Sequence, residues 1–403
     1  MKIALSALSA LTLQSQLVWG VYNLVREYSG QNFFTGWDFY GNYDNLTNGD
    51  AIWVNQSLAS TDHLAFVNDA GHAIIKVDNT SFVPYNDKRD SVRVTTEDFF
   101  PVGSLFIIDL VHLPYGCSVW PSFWTKGPNW PIGGEIDIVE GVNQMTFNQM
   151  ALHTQDGCTA SPPSDQISTT TLTNCSAVAG CTVAEKQPNS FGAGFDSAGG
   201  GVWATQFDVT GIYIWFWTRS SVPSTVNSSA TAVDPSTWGP PTAAYPSSTC
   251  NITNFFTEQQ LVLDITLCGD WAGEPSVYQE TCPASAPANA SSCYLENVIN
   301  NGTSAYANAY FEISYIKAFN VDSTIVGPSG TVSVSPASAT AEPPAASSSS
   351  GSSSASGSGS NSGSNSSNAA SAWGPTLVPT ILAAALGVSA LLAIYEPDYV
   401  VSS

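Results

Sequence analysis

The chain has 403 residues, of which only 10% are charged and 11% aromatic, with 12 Trp, 32 Gly and 24 Pro, and its formal net charge is −22. That acidity excludes nucleic acid and anionic lipid surfaces as partners, because both would be repelled, and leaves a neutral polymer unaffected. Few charges and many turn-forming residues point away from a helical bundle and toward an all-β protein.

Met1 and Lys2 open the chain, an apolar run follows from Ile3 to Leu13, and Gly20 offers a small residue for cleavage. This is the pattern of a secretory signal peptide over residues 1–20, and the run is too short to span a membrane. From 21 to 327 the sequence reads as one globular domain. Short runs rich in Val, Ile, Phe, Trp and Tyr alternate with Gly, Asn, Asp and Pro. Strands are predicted at Ala73–Val77, Ser91–Thr95, Leu105–Leu110, Gly134–Val139, Gly211–Trp217, Gln260–Thr266 and Ala309–Phe319, with no long helix. In the last of these, Tyr310, Glu312, Ser314 and Tyr315 sit beside Phe311, Ile313 and Ile316, the near-alternation of a half-exposed strand. So many short strands predict a β-sandwich or jelly roll.

The eight cysteines lie at Cys117, Cys158, Cys175, Cys181, Cys250, Cys268, Cys282 and Cys293. None is spaced C-x-x-C, which argues against zinc, and an even number in a secreted chain predicts disulfides. Cys175 and Cys181 can close a small loop; the other pairings stay open. Sequons at Asn45, Asn55, Asn79, Asn174, Asn227, Asn251, Asn289, Asn301 and Asn365 predict a glycoprotein.

Residues 328–376 are mostly Ser, Ala, Gly, Asn and Pro and lack the apolar surface to fold, so a disordered stalk is expected. An uncharged apolar segment, Leu377–Ile394, and a polar tail over 395–403 follow. Small residues from Ser366 to Ser371, a spacer and the apolar segment outline a glycosylphosphatidylinositol signal. The competing reading is a single membrane span, and Glu396 and Asp398 beyond the segment count against the anchor. An extracellular protein, secreted or held at the cell surface, is expected.

The chemistry is concentrated in Gly134-Glu135-Ile136-Asp137-Ile138-Val139-Glu140-Gly141. Alternation puts Glu135 and Asp137 on one face and Ile136 and Ile138 on the other, and would turn Glu140 away. A β-bulge near Ile138–Val139 returns Glu140 to the face of the other acids. Glu135 and Glu140 then stand roughly 13 Å apart along the backbone. Bending and leaning side chains can bring their carboxyls to about 5–6 Å, near the separation that retaining glycoside hydrolysis requires. Asp137 between them can share a proton with a neighbour and push pKa values apart. Calcium is the rival occupant for clustered acids, but an alternating strand lacks the loop geometry of such sites.

Aromatic residues surround the acids. Trp120-Pro121-Ser122-Phe123-Trp124 and Trp130 precede them, Leu152-His153-Thr154 follows on the expected next strand, and Cys268-Gly269-Asp270-Trp271 lies far downstream. Sugar rings present flat C–H faces that pack on Trp. Trp124, Trp130, His153 and Trp271 are therefore the candidate substrate-binding residues.

The segment from Gly134 to Asn143, together with Trp120–Trp124, Asn129-Trp130-Pro131, Cys268–Gly273 and the early stretch from Tyr22-Asn23-Leu24-Val25 through Gly36–Tyr40, resembles glycoside hydrolase family 16, its fungal endo-1,3(4)-β-glucanases and laminarinases. The likeness covers roughly residues 21–320. It implies a concanavalin A-like β-jelly roll with a concave substrate groove, and double displacement with Glu135 as nucleophile, Glu140 as general acid/base and Asp137 as the assisting carboxylate. E-x-D-x-x-E resembles the laminarinase side of the family. The implied partner is a β-glucan, with no cofactor or catalytic metal, and the enzyme is expected to be a monomer. Two other functions fit the scaffold: a cell-wall transglycosylase, and a non-catalytic lectin, which would have no need of both Glu135 and Glu140.

Overall fold

A computed structural model describes residues 20–284, 287–327, 329–335 and 339. The signal peptide, most of the stalk and the apolar C-terminal segment fall outside these residues. Among the described residues no helix is long and apolar enough to cross a membrane.

Two large sheets build the domain. The back sheet has nine strands, with the spatial order Ala232–Val233, Tyr22–Ser29, Tyr310–Asn320, Ser104–His112, Gly201–Asp208, Gly211–Thr218 and Ala243–Pro246, while Ala73–Lys76 and Ala65–Val67 extend it beside Tyr310–Asn320. The site sheet has eight, in the order Thr169–Thr170, Cys181–Ala184, Gln149–His153, Glu135–Glu140, Val119–Lys126, Gln260–Leu267, Arg93–Thr96 and Trp37–Phe39. Neighbours within the two sheets are antiparallel and mostly distant in sequence, the signature of a jelly roll rather than a meander. The longest described helix has seven residues. The seven predicted strands all form, within a residue or two, except that Val92 divides Arg89–Ser91 from Arg93–Thr96.

The core lies between the sheets, where Phe106, Ile108 and Leu110 from one join Phe123, Ile136, Ile138, Leu263 and Ile265 from the other. Each such side chain contributes about 1.5–3 kcal/mol by leaving water. A second apolar cluster covers the back sheet's outer face, formed by Leu105, Ile107, Val202, Trp215 and Phe319 under Val226, Val233 and Trp238. The central strand Ser104–His112 is consequently buried on both faces, which explains its apolar run from Leu105 to Ile108. The same cover corrects one expectation: Tyr310–Asn320 alternates only over its first half, and from Tyr315 onward every residue is buried.

Four disulfides form: Cys117–Cys282, Cys158–Cys250, Cys175–Cys181 and Cys268–Cys293. No cysteine is free.

Candidate active site

The acidic strand Glu135–Glu140 starts at a backbone position that a side chain would not fit. Gly134 has φ +74°, and a Cβ there would stand 2.2 Å from the Phe256 ring. Along the strand the register slips on both sides. Against Val119–Lys126, Ser122 faces Glu140 and Trp124 faces Asp137, so two residues on one strand span three on the other. Against Gln149–His153 the same slip falls between Asp137 and Glu140. This is the bulge expected at Ile138–Val139. It leaves both of those side chains buried and puts Glu140 on the face of Glu135 and Asp137.

Buried Asn148 holds the bulge. Its side-chain oxygen accepts the Glu140 N–H at 2.9 Å and its amide donates to the Ile138 carbonyl at 2.9 Å.

Strand pairing then assembles the acids' surroundings. His153 lies opposite Glu135, and its Nε2 stands 3.8 Å from Glu135 Oε1 and 3.4 Å from Asp137 Oδ2. Glu140 Oε1 accepts Trp120 Nε1–H at 2.8 Å and the Ser122 hydroxyl at 3.2 Å. Trp271, on the short helix Gly269–Ala272, sets its ring perpendicular to Trp120 at 5.6 Å. Asn143, just past the acids, donates from its amide to the Ala272 carbonyl and fixes that helix. Trp130 is 58% exposed on the turn before the acidic strand, and a cis peptide links it to Pro131. Trp124 donates toward Asp264 Oδ2 at 3.4 Å. Five of the seven residues nominated from the sequence thus share one face of one sheet, with Trp130 on the turn before it and Trp271 on the helix packed against Trp120.

Five neighbours were not nominated from the sequence. Trp120 and Ser122 share the face of Trp124 by simple alternation, which was enough to find them. Asp264 is a lone acid in the apolar run Leu261–Leu267, the same anomaly that marks Asp137. Its partner Arg93 donates to it at 2.9 Å and lies 5.0–5.3 Å from the centroids of Tyr40, Trp53 and Trp124. Asn148 carries no sequence signal at all.

Burial and mutual repulsion govern the protonation of this face. Burial holds Glu135 well above the usual carboxylate range, with the charge of Asp137 adding to it and His153 opposing it. Burial and the Glu140 charge do the same to Asp137. Glu140 is raised by burial while the Trp120 and Ser122 donors pull it back. Asp264 is pushed up to about 6, burial outweighing Arg93. A face in which several carboxyls resist ionisation together keeps a proton available near neutrality, which a general acid needs. Glu135, Asp137 and His153 also offer ligand atoms within 4.8 Å of one another, the one such set among the described residues that a cation could use.

A sequence model of the XgeA-like, catalytic GH16 domain matches residues 37–319. A probable glycosidase of Schizosaccharomyces pombe is 40% identical over 295 residues, covering 71% of this chain and 67% of its own. The endo-1,3(4)-β-glucanase xgeA of Emericella nidulans is 36% identical over 310 residues, 75% of this chain and 48% of its own. The chain therefore spans about half the length of that glucanase. Among solved structures, Laminarinase 16A from Phanerochaete chrysosporium, with 6-O-glucosyl-laminaritriose in donor and acceptor sites, superposes with TM-score 0.69 at 30% identity, over 74% of this chain and all of that one. An elongating GH family 16 β-1,3-glucosyltransferase does so with TM-score 0.69 at 36% identity, with the same coverage.

Proposed function

Since the chain belongs to glycoside hydrolase family 16, we propose that it is a retaining endo-β-glucanase that cleaves β-1,3 or β-1,3/1,4 linkages. The observation that carries this reading is the bulge that returns Glu140 to the face of Glu135 and Asp137. In the first step a Glu135 oxygen attacks the anomeric carbon while Glu140 gives its proton to the departing glycosidic oxygen. The C–O bond breaks and a glycosyl ester on Glu135 results. In the second step Glu140, now a carboxylate, takes a proton from the water that attacks the same carbon and frees Glu135. His153 stands beside both Glu135 and Asp137. Trp120, Trp124, Trp130 and Trp271 supply faces for sugar rings.

An NMR time course on laminarin and on a mixed-linkage glucan tests the reaction. The β-anomer is expected first; the α-anomer first would refute retention. The likeness to a glucosyltransferase favours a second reading, in which a sugar hydroxyl replaces water in the second step. Products longer than the starting oligosaccharide would establish it.

We also propose that the mature enzyme is extracellular and held by a glycosylphosphatidylinositol anchor attached among Ser366–Ser371. Phosphatidylinositol-specific phospholipase should release its activity from cells. If activity stays on the membrane and an antibody to 395–403 still binds the mature protein, a retained span replaces the anchor.

A further inference from the structure

The bulge that makes the site also breaks the hydrogen-bond ladder at its most sensitive point. The residues on either side of it carry the chemistry, and Ile138 and Val139 are 1% and 0% exposed, so water does not serve the backbone groups there. One side chain takes over. Asn148, itself 0% exposed, presents its amide to the bulge as a peptide unit would, accepting from Glu140 N–H and donating to Ile138 O, both at 2.9 Å. Its own backbone is fixed in turn: its N–H donates to the Ser190 hydroxyl at 3.1 Å, and its carbonyl accepts from Glu185 N–H at 2.9 Å.

We infer that Asn148 is a positioning residue that sets where Glu140 stands relative to Glu135. It touches no reacting atom; it acts through the backbone of Glu140 and so through the direction of that side chain. This rests on the reading of Glu140 as general acid/base. The physical ground is that a one-residue slip exchanges the faces of a strand. Without the amide, two buried backbone groups lose their partners. The strand then recovers partners by relaxing toward regular pairing, which turns Glu140 away from the other acids. Glu135 and Asp137 lie before the bulge and keep their register.

The inference therefore predicts a selective lesion, visible by changing the leaving group. With an unactivated β-glucan the departing oxygen needs the proton of Glu140; with a 2,4-dinitrophenyl β-laminaribioside it does not. In Asn148→Leu, close in size but without either bond, kcat/KM on laminarin should fall about 100-fold, the scale of a displacement near 1 Å. On the dinitrophenyl substrate kcat/KM should stay within about threefold of wild type. Azide, which needs no base to attack the glycosyl-enzyme, should raise kcat on that substrate and yield the β-glycosyl azide. Asn148→Asp keeps the acceptor for Glu140 N–H and loses the donor to Ile138 O. It should show the same pattern in weaker form, and it carries the test if the Leu variant does not fold. Equal losses on both substrates, or an unchanged rate on laminarin, overturn the inference. Glu140→Gln run in parallel separates the two claims. If it lacks the leaving-group pattern, the acid/base assignment is wrong. If it shows the pattern and the Asn148 variants do not, only the role of Asn148 falls.

Discussion

Replacing Asp264 by Asn should stabilise the protein at neutral pH, although Asp264 is paired with an arginine. The carboxylate is 6% exposed and accepts Arg93 Nη1–H at 2.9 Å. Burial nevertheless raises it from 3.8 to about 6, since the cost of desolvation exceeds what Arg93 returns. A shift of about two units corresponds to ~3 kcal/mol at about 1.36 kcal/mol per unit. The direction in pH follows from linkage. The folded chain holds this proton more tightly than the unfolded chain, so wild type incurs nothing below pH 3.8, loses stability as pH rises to about 6, and carries the full cost above that. Asn resembles the protonated acid at every pH and leaves Arg93 facing a neutral partner throughout. Thermal or denaturant melts of both proteins across the acidic range to above neutrality give the difference at each pH. Relative to its value in acid, the variant's advantage should grow by ~3 kcal/mol, or about 6–12 °C in Tm at about 2–4 °C per kcal/mol. A variant that loses ground as pH rises would show that the Arg93 pair stabilises the ionised form, and would refute the argument.

Glu135→Gln should abolish turnover on laminarin without lowering Tm, and azide should restore a reaction that yields the α-glycosyl azide; near-normal turnover would remove Glu135 as nucleophile. Trp271→Ala should weaken laminarioligosaccharide binding by about 1–3 kcal/mol, measured by calorimetry; unchanged affinity with a lower Tm would place the ring in the core instead. The Cys117–Cys282 disulfide spans 165 residues and Cys175–Cys181 only 6. Chain entropy makes their removal cost about 5 and about 2 kcal/mol respectively, and denaturant titration of the paired Cys→Ser variants should reproduce that order.

The acids and their bulge were legible because three carboxylates in an apolar strand are too costly to be accidental, and because period-two alternation fails at one identifiable residue. The strands were legible for the same reason of local pattern. What stayed hidden depends on which strands become neighbours. Glu140, Ser122, Asp264 and Arg93 stand in one row across four strands. Nothing in the runs around Arg93 or Asp264 says that they meet. Asn148 looks like any turn residue, and its role appears only once the break it repairs is located. The outer cover over Tyr315–Asn320 was invisible because Val226, Val233 and Trp238, more than 70 positions earlier, contribute to it.

The short helix bearing Trp271 is tied down on several sides. Cys268 at its start is bonded to Cys293, Cys282 at the end of the following helix to Cys117, and the Ala272 carbonyl to Asn143. Such a wall does not fold down over a guest. The ordering that a mobile lid undergoes on capture has already happened during oxidative folding, so less of the association energy goes into rearrangement. The same rigidity makes recognition depend on the redox history of the chain. Reduction unties both ends of this wall and so loosens the Trp271 side of the site.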